Sequence, residues 1–172
     1  MLVPYQSEAY SDFTDDGVAA RYRSALEVVS GQLGEHATLV IAGEEIDTKA
    51  RIESVDPSRP ERIVGTSASA GLEHVESAIS AAWDAYPAWA RRTAEERAGL
   101  VHRVGDIINE RRFEFAAWQT FEAGKNWAEA EADVAEAIDF CRYYAHQALR
   151  LAEPVPVHDF PGEVNESWPV SY

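Results

Sequence analysis

The stretch that decides the fold is "FEAGKNWAEAEADVAEAIDFCRYYA", residues 121–145. It opens on a polar junction interrupted by Gly124, a residue that tolerates left-handed geometry and so closes a preceding helix. Beyond the junction, Val134, Ile138, Cys141, Ala145 and Leu149 recur at helical spacing, which predicts a long helix over about 126–151 with one apolar stripe. The same helix sets Glu129, Asp133 and Glu136 on one face. Two readings of that face stay open. It is a solvated acidic surface, or Glu136 turns into a cleft where it binds a cationic group such as a substrate ammonium. Asp133 and Phe140, the neighbours of Glu136, do not decide between them. Cys141, the single cysteine of the chain, sits on the apolar stripe, where a thiol behaves as a small hydrophobe with a raised pKa rather than as a nucleophile.

Upstream, Thr93-Ala-Glu-Glu96 is a capping box. The helix it opens is expected to run unbroken to about 121, with Leu100, Val104, Ile107/Ile108 and Phe115 inward. Residues 71–86 carry Val75, Ile79, Ala82/Trp83 and Tyr86 on a further helical stripe. Pro87 is expected to break it and leave Trp89 packed in the junction. "TLVIAGEEIDT", residues 38–48, reads as strand, turn and strand about Ala42-Gly43. Ile52 and Val55 continue with strand period, and Pro57 and Pro60 mark a turn before a short strand at 63–65. A first helix is expected over about 17–33, with Val18, Tyr22, Ala25/Leu26 and Val29 at helical spacing and Gly34 as its stop. Residues 1–16 form an irregular arm. "EPVPVHDFPGEVNESWPVSY", residues 153–172, is too rich in proline for helix and is expected to be extended.

The chain has 172 residues, 46% of them hydrophobic and 26% charged, which is a globular composition with material for one core. No apolar run is long enough to span a bilayer, and the first residues lack the basic and apolar regions of a secretory signal. One cysteine excludes an internal disulfide framework and makes a reduced cytoplasm the default. The formal net charge is −15, a field that repels phosphate backbones and argues against nucleic-acid binding. The acidity, with lysine only at Lys49 and Lys125, fits either a salt-adapted cytoplasm or an ordinary acidic protein. The five histidines show no metal-ligand spacing. There is no GxGxxG, no phosphate-loop motif and no CxxC.

Several segments together carry a resemblance: "LVIAGEEIDT" with "SVDPSRPERIVGTSASA", "AAWDAYPAWARRTAEERAGLVHRVGDIINERRFEFAAW", the stretch quoted at the outset, and "PGEVNES". The chain is similar to the N-terminal part of the aldehyde dehydrogenases, and within them to the L-glutamate γ-semialdehyde (1-pyrroline-5-carboxylate) dehydrogenases of proline catabolism. The Glu-Ala-Gly-Lys junction is general to that superfamily. The Asn-Trp after it, "ADVAEAIDF" and "PGEVNES" point to the semialdehyde branch. The resemblance implies an α/β family fold. This part of it is mostly α-helical, with an N-terminal β-hairpin and a C-terminal extended bridging strand. It divides the chain into an arm (1–16), the incomplete N-terminal part of an NAD-binding domain (17–151), and the start of a bridging, oligomerisation strand (152–172).

The resemblance also implies an activity: oxidation of the semialdehyde to glutamate through a cysteine thiohemiacetal, with hydride passing to NAD. The family's oxyanion-hole Asn, base Glu and nucleophilic Cys are expected to follow the segment present here, and Cys141 does not hold the nucleophile position. Glu136 alone carries over, as a substrate-binding glutamate of the entry region. Gly124 and Lys125 match the junction and are structural. The expectation is therefore an incomplete dehydrogenase that is inactive by itself and binds no NAD, whose ending "WPVSY" departs from the family pattern as a shifted reading frame would. The alternatives are a non-catalytic interaction module, pairing with itself or a dehydrogenase paralogue near residues 154–172, and one half of a split enzyme. NAD against NADP stays open.

Overall fold

The computed structural model describes residues 4–158 and 160–168. The arm leads into α1 (Asp16–Ser30), then β1 (Glu35–Ala37), β2 (Leu39–Ile41), β3 (Glu44–Ile46), β4 (Arg51–Asp56) and β5 (Arg59–Ala68). Helices α2 (Leu72–Ala90), α3 (Ala94–Glu110), α4 (Arg112–Ala123) and α5 (Trp127–Ala152) follow, and short strands β6 (Val155–Pro156) and β7 (Glu166–Ser167) come last.

Asp15 starts α1 by accepting the amides of Gly17 and Val18 at 2.7 and 3.0 Å. The helix ends at Ser30, earlier than expected. The Gly31 amide closes it onto the carbonyls of Glu27 and Val28. Gly34, with φ +89, belongs instead to the following turn, where its amide donates to Val64 O at 2.9 Å.

β2 and β3 form the hairpin expected at Ala42-Gly43. Both turn residues have positive φ, 53 and 85, the combination that matches the twist of a two-residue hairpin. The sheet beside it has the order β1-β5-β4. β5 is much longer than residues 63–65, because it takes Pro60 into a bulge. Val55 pairs with Ile63 and Asp56 with Arg59, so residues 60–62 need no ladder partner and the missing proline N–H costs nothing. β1 lies parallel to β5. Its exposed Glu-His-Ala sequence has no apolar alternation to announce a strand.

The core lies where α1, α4 and α5 meet. Tyr22, Ala116, Ala130, Val134 and Ile138 are buried together, and Phe13, Phe113 and Trp127 pack against them. Tyr22 stands edge-on to Phe13 with ring centroids 5.3 Å apart, and lies 5.0 Å from Trp127. Its hydroxyl shares a 2.8 Å hydrogen bond with Thr120 Oγ1, so the buried phenol is satisfied.

The helix expected over 93–121 is two helices. Arg111 leaves helical geometry at φ −108, ψ 23 and separates α3 from α4. The capping box itself is present: Glu96 N donates to Thr93 Oγ1 at 3.2 Å, and Thr93 N donates to Glu96 Oε2 at 3.0 Å. Of the residues expected inward, Ile108 and Phe115 pack against the core, but the rest of the α3 stripe differs from expectation. Ala98 and Gly105 are buried, whereas Leu100, Val104 and Ile107 are exposed. A Cβ on Gly105 would stand 3.0 Å from Cys141 Cβ, so α3 approaches α5 backbone-first through small residues and leaves Leu100, Val104 and Ile107 outside.

α2 goes further. It buries no residue at all, and Leu72 and Trp83 on its stripe are 73% and 66% exposed. Pro87 does not end it. The proline lies in the last turn, where only one intrahelical bond is forfeited. Trp89 is exposed rather than packed, with the Arg92 guanidinium 5.9 Å from its ring centroid. The C-terminal extended segment pairs with itself, β6 antiparallel to β7. Of the expected ending "WPVSY", residues 169–172 lie outside the described residues.

Candidate functional site

α5 carries the candidate site. Gly124, at φ 66, turns the chain between α4 and α5. A Cβ there would meet Pro57 Cγ at 2.8 Å, and Ser54 Oγ donates to Glu122 Oε1 at 2.9 Å, so the junction is braced against the β4–β5 turn. Asn126 Oδ1 caps α5 by accepting the Glu129 amide at 3.0 Å. Lys125 pairs with Asp133, two turns beyond the cap. Gly124 and Lys125 thus do structural work, as the family pattern suggests.

The carboxylates of α5 meet different fates. Glu131 is 1% exposed. It accepts Ser11 N at 3.2 Å and Ser11 Oγ at 2.9 Å. Arg112 Nε lies 2.6 Å from it, an ion pair rather than an aligned hydrogen bond. Asp133 is held by Lys125, and Asp139 Oδ1 accepts the Glu8 amide at 2.9 Å. Glu136 differs from all three. It is exposed and takes no partner among the described residues. Phe140, one turn on, is also exposed, and its ring stacks on Tyr144 at 5.8 Å and 12°. Glu136, Phe140 and Tyr144 therefore run along one outer line of the helix, a carboxylate next to an aromatic surface.

Cys141 is half-buried between α5 and α3. Burial pushes its thiol pKa up, which lowers the share of reactive thiolate at neutral pH. The histidines are spread over the molecule. His36 bridges Thr66 Oγ1 and Asp47 Oδ1 at 2.9 and 3.0 Å. His74 Nδ1 accepts the Gly71 amide at the start of α2 at 2.9 Å. His102 lies 3.4 Å from Asp106. Asp47 has its carboxyl held well below the usual carboxylate range, first by Arg51 and then by His36. Among the described residues, no group of three or more His, Cys, Asp or Glu is placed to hold a metal, and no helix is long and apolar enough to cross a membrane.

Among the described residues the one parallel strand pair, β1 with β5, is three residues long, and α2 follows β5 without a glycine-rich phosphate loop. Sequence reasoning singled out Glu136 as a candidate, and Cys141 and the junction as structural. It missed Glu131 and the Glu8–Arg112–Arg142 cluster, whose members lie far apart in the chain and are brought together only by the fold.

The sequence and the fold together define a class. Residues 44–167 match the aldehyde dehydrogenase family, and the chain belongs to that family. The 1-pyrroline-5-carboxylate dehydrogenase of Geobacillus thermodenitrificans is 42% identical over 165 residues, 96% of this chain and 32% of that protein. One of the two such enzymes of Bacillus subtilis is 42% identical over 166 residues with the same coverage. The crystal structure of 1-pyrroline-5-carboxylate dehydrogenase from Thermus with bound NAD superposes with a TM-score of 0.91 and 42% identity, over 97% of this chain and 33% of that one. A Mycobacterium tuberculosis Δ-pyrroline-5-carboxylate dehydrogenase does so at 0.81 and 27% identity, over 94% of this chain and 30% of that one. The chain spans about a third of the length of the curated relatives it matches.

Proposed function

We propose that this chain is the N-terminal segment of an NAD-dependent dehydrogenase that oxidises glutamate γ-semialdehyde to glutamate in the cytoplasm, and that it supplies one wall of the substrate cleft. The observation that carries the reading is the 42% identity to 1-pyrroline-5-carboxylate dehydrogenases sustained over 96% of the chain. Glu136 supports it locally. A carboxylate that is exposed, unpartnered among the described residues and beside an aromatic surface is suited to an ammonium group. In this reading Glu136 binds the substrate's amino group, and the nucleophile, base and oxyanion donors are supplied by sequence outside the 172 residues. The chain alone then neither binds NAD nor turns over.

A chimaera tests this. Residues 1–167 replace the matching segment of the Geobacillus thermodenitrificans relative, and NADH formation is followed with glutamate semialdehyde. Turnover is expected, and Glu136→Gln is expected to raise KM by about tenfold or more with a smaller effect on kcat, as for a lost binding contact. A folded chimaera that oxidises other aldehydes but not this one overturns the substrate assignment. Turnover by the 172 residues alone overturns the division of labour.

The uncovered apolar faces of α2 and α3 favour a second element of the reading, that this chain works against a further stretch of dehydrogenase, in the same polypeptide or in a partner. The C-terminal segment, with Val164 87% exposed and Trp168 58% exposed, is the proposed contact to another copy or a paralogue. Reconstitution of activity by mixing the two portions supports a split enzyme, and inactivity of the mixture counts against it.

A further inference from the structure

The arm ahead of α1 is bound in an unusual way. Phe13 is fixed in the core, against Tyr22, Phe113 and Trp127. Residues 4–11 are held almost wholly by charge. Glu8 receives guanidinium groups from two helices, Arg112 of α4 at 3.1 Å and Arg142 of α5. Arg112 Nη2 also donates to Ala9 O at 2.8 Å. The arm's own amides end on side-chain carboxylates, Glu8 N on Asp139 and Ser11 N on Glu131. The one ring contact recorded in this span is Tyr5 edge-on to Tyr143, at 5.4 Å. Beneath it lies a cavity of about 390 Å³, bounded on the helix side by His102, Asp106, Arg142 and His146.

The seat is complete without the arm. Arg142 keeps Asp106 at 3.1 Å, and Arg112 keeps Glu131 at 2.6 Å. If residues 4–11 lift away, neither guanidinium is left buried and unpaired, and Glu131 keeps its ion pair while losing only Ser11. Glu8 meanwhile passes into water. The usual heavy penalty for breaking a buried ion pair comes from the stranded partner, and here neither arginine is stranded, while Asp139 gives up the Glu8 amide.

The geometry points to a strap: residues 4–11 open and close as a unit over the α3–α5 seam, pivoting at the Ser11–Asp12 link ahead of the hydrogen-bonded Asp12–Asp15 turn, with Phe13 as the fixed anchor. Asp12 Oδ1 accepts Thr14 N at 2.9 Å and Asp15 N donates to Asp12 O at 3.2 Å, so this turn is the fixed base from which the arm lifts. These bonds stay closed in both positions.

Amide hydrogen exchange of the whole chain, resolved to single residues by NMR, tests the strap. The Glu8 and Ser11 amides are expected to exchange at least about tenfold faster than the slow amides of α5, through an opening that leaves the helices protected. Glu8→Gln is expected to raise the Glu8 and Ser11 rates severalfold more and leave α5 rates unchanged. Equal slow exchange of the arm and α5 amides in the native chain, so that the arm leaves only on global unfolding, overturns the proposal. So does a Glu8→Gln variant in which arm and α5 rates rise together. The native comparison stands on its own if the variant does not fold.

Discussion

α5 and α2 are both amphipathic helices with an unambiguous apolar stripe, and they end in opposite places. α5 buries Ala130, Glu131, Val134, Ala135, Ile138 and Ala145, against α1, α3 and α4. α2 buries nothing, and Val75, Ile79 and Trp83 face outward. Helical periodicity states that a face is meant to be covered; it does not state by what. For α5 the cover lies within these residues. For α2, and for the outer side of α3, it does not. A helix of this length with no tertiary seat has little stability of its own in water.

Substitutions can break or sharpen that contrast, and the largest effect is expected beneath α5. Arg112→Met removes the charged partner of Glu131, a carboxylate that is 1% exposed. Urea unfolding should show a loss of roughly 3–5 kcal/mol, and a loss under 1 would mean that water reaches Glu131. Next come matched isoleucines. Ile138→Ala in the core should cost about 2–5 kcal/mol, while Ile79→Ala on α2 should stay within about 0.5 kcal/mol of wild type. Equal costs would place α2 in a core after all. Gly105→Val drives a side chain into Cys141 and should cost about 1–3 kcal/mol by overpacking, again read from urea unfolding.

Smaller effects follow. Ile79→Asp together with Val104→Asp should lower ANS fluorescence markedly with little change in melting temperature, because both residues stand in water. An unchanged ANS signal would locate the exposed apolar surface elsewhere. At Cys141, where burial raises the thiol pKa, alkylation at pH 8 should be slower than for a free cysteine and should accelerate at higher pH than usual. A normal rate profile would contradict the packing against Gly105.

Local signals in the sequence were faithful where the chemistry is local. The Ala42-Gly43 hairpin, the Thr93–Glu96 capping box, the left-handed Gly124 and the stripe of α5 each rest on residues within a turn or two of one another, and each is present. What was not legible depends on distant partners. Glu131 looks like its acidic neighbours until Ser11 and Arg112 arrive from elsewhere in the chain. Of the large apolar residues that mark an inward face on α3 only Ile108 reaches the core, and the close approach of α5 buries Ala98 and Gly105 instead of Leu100, Val104 and Ile107. β1 exists because β5 offers it a parallel edge, and its own three residues say nothing of it. Glu136 was legible as a candidate, but its outward, unpartnered setting required the fold.

The most direct test of the contrast is residue-resolved hydrogen exchange along α2 and α5 in the isolated chain. The α5 amides around Val134–Ile138 should exchange only through near-global opening, and the α2 amides around Val75–Trp83 several orders of magnitude faster. Equal, slow exchange along both helices would show that α2 shares the core's protection, and would contradict the account of an uncovered face.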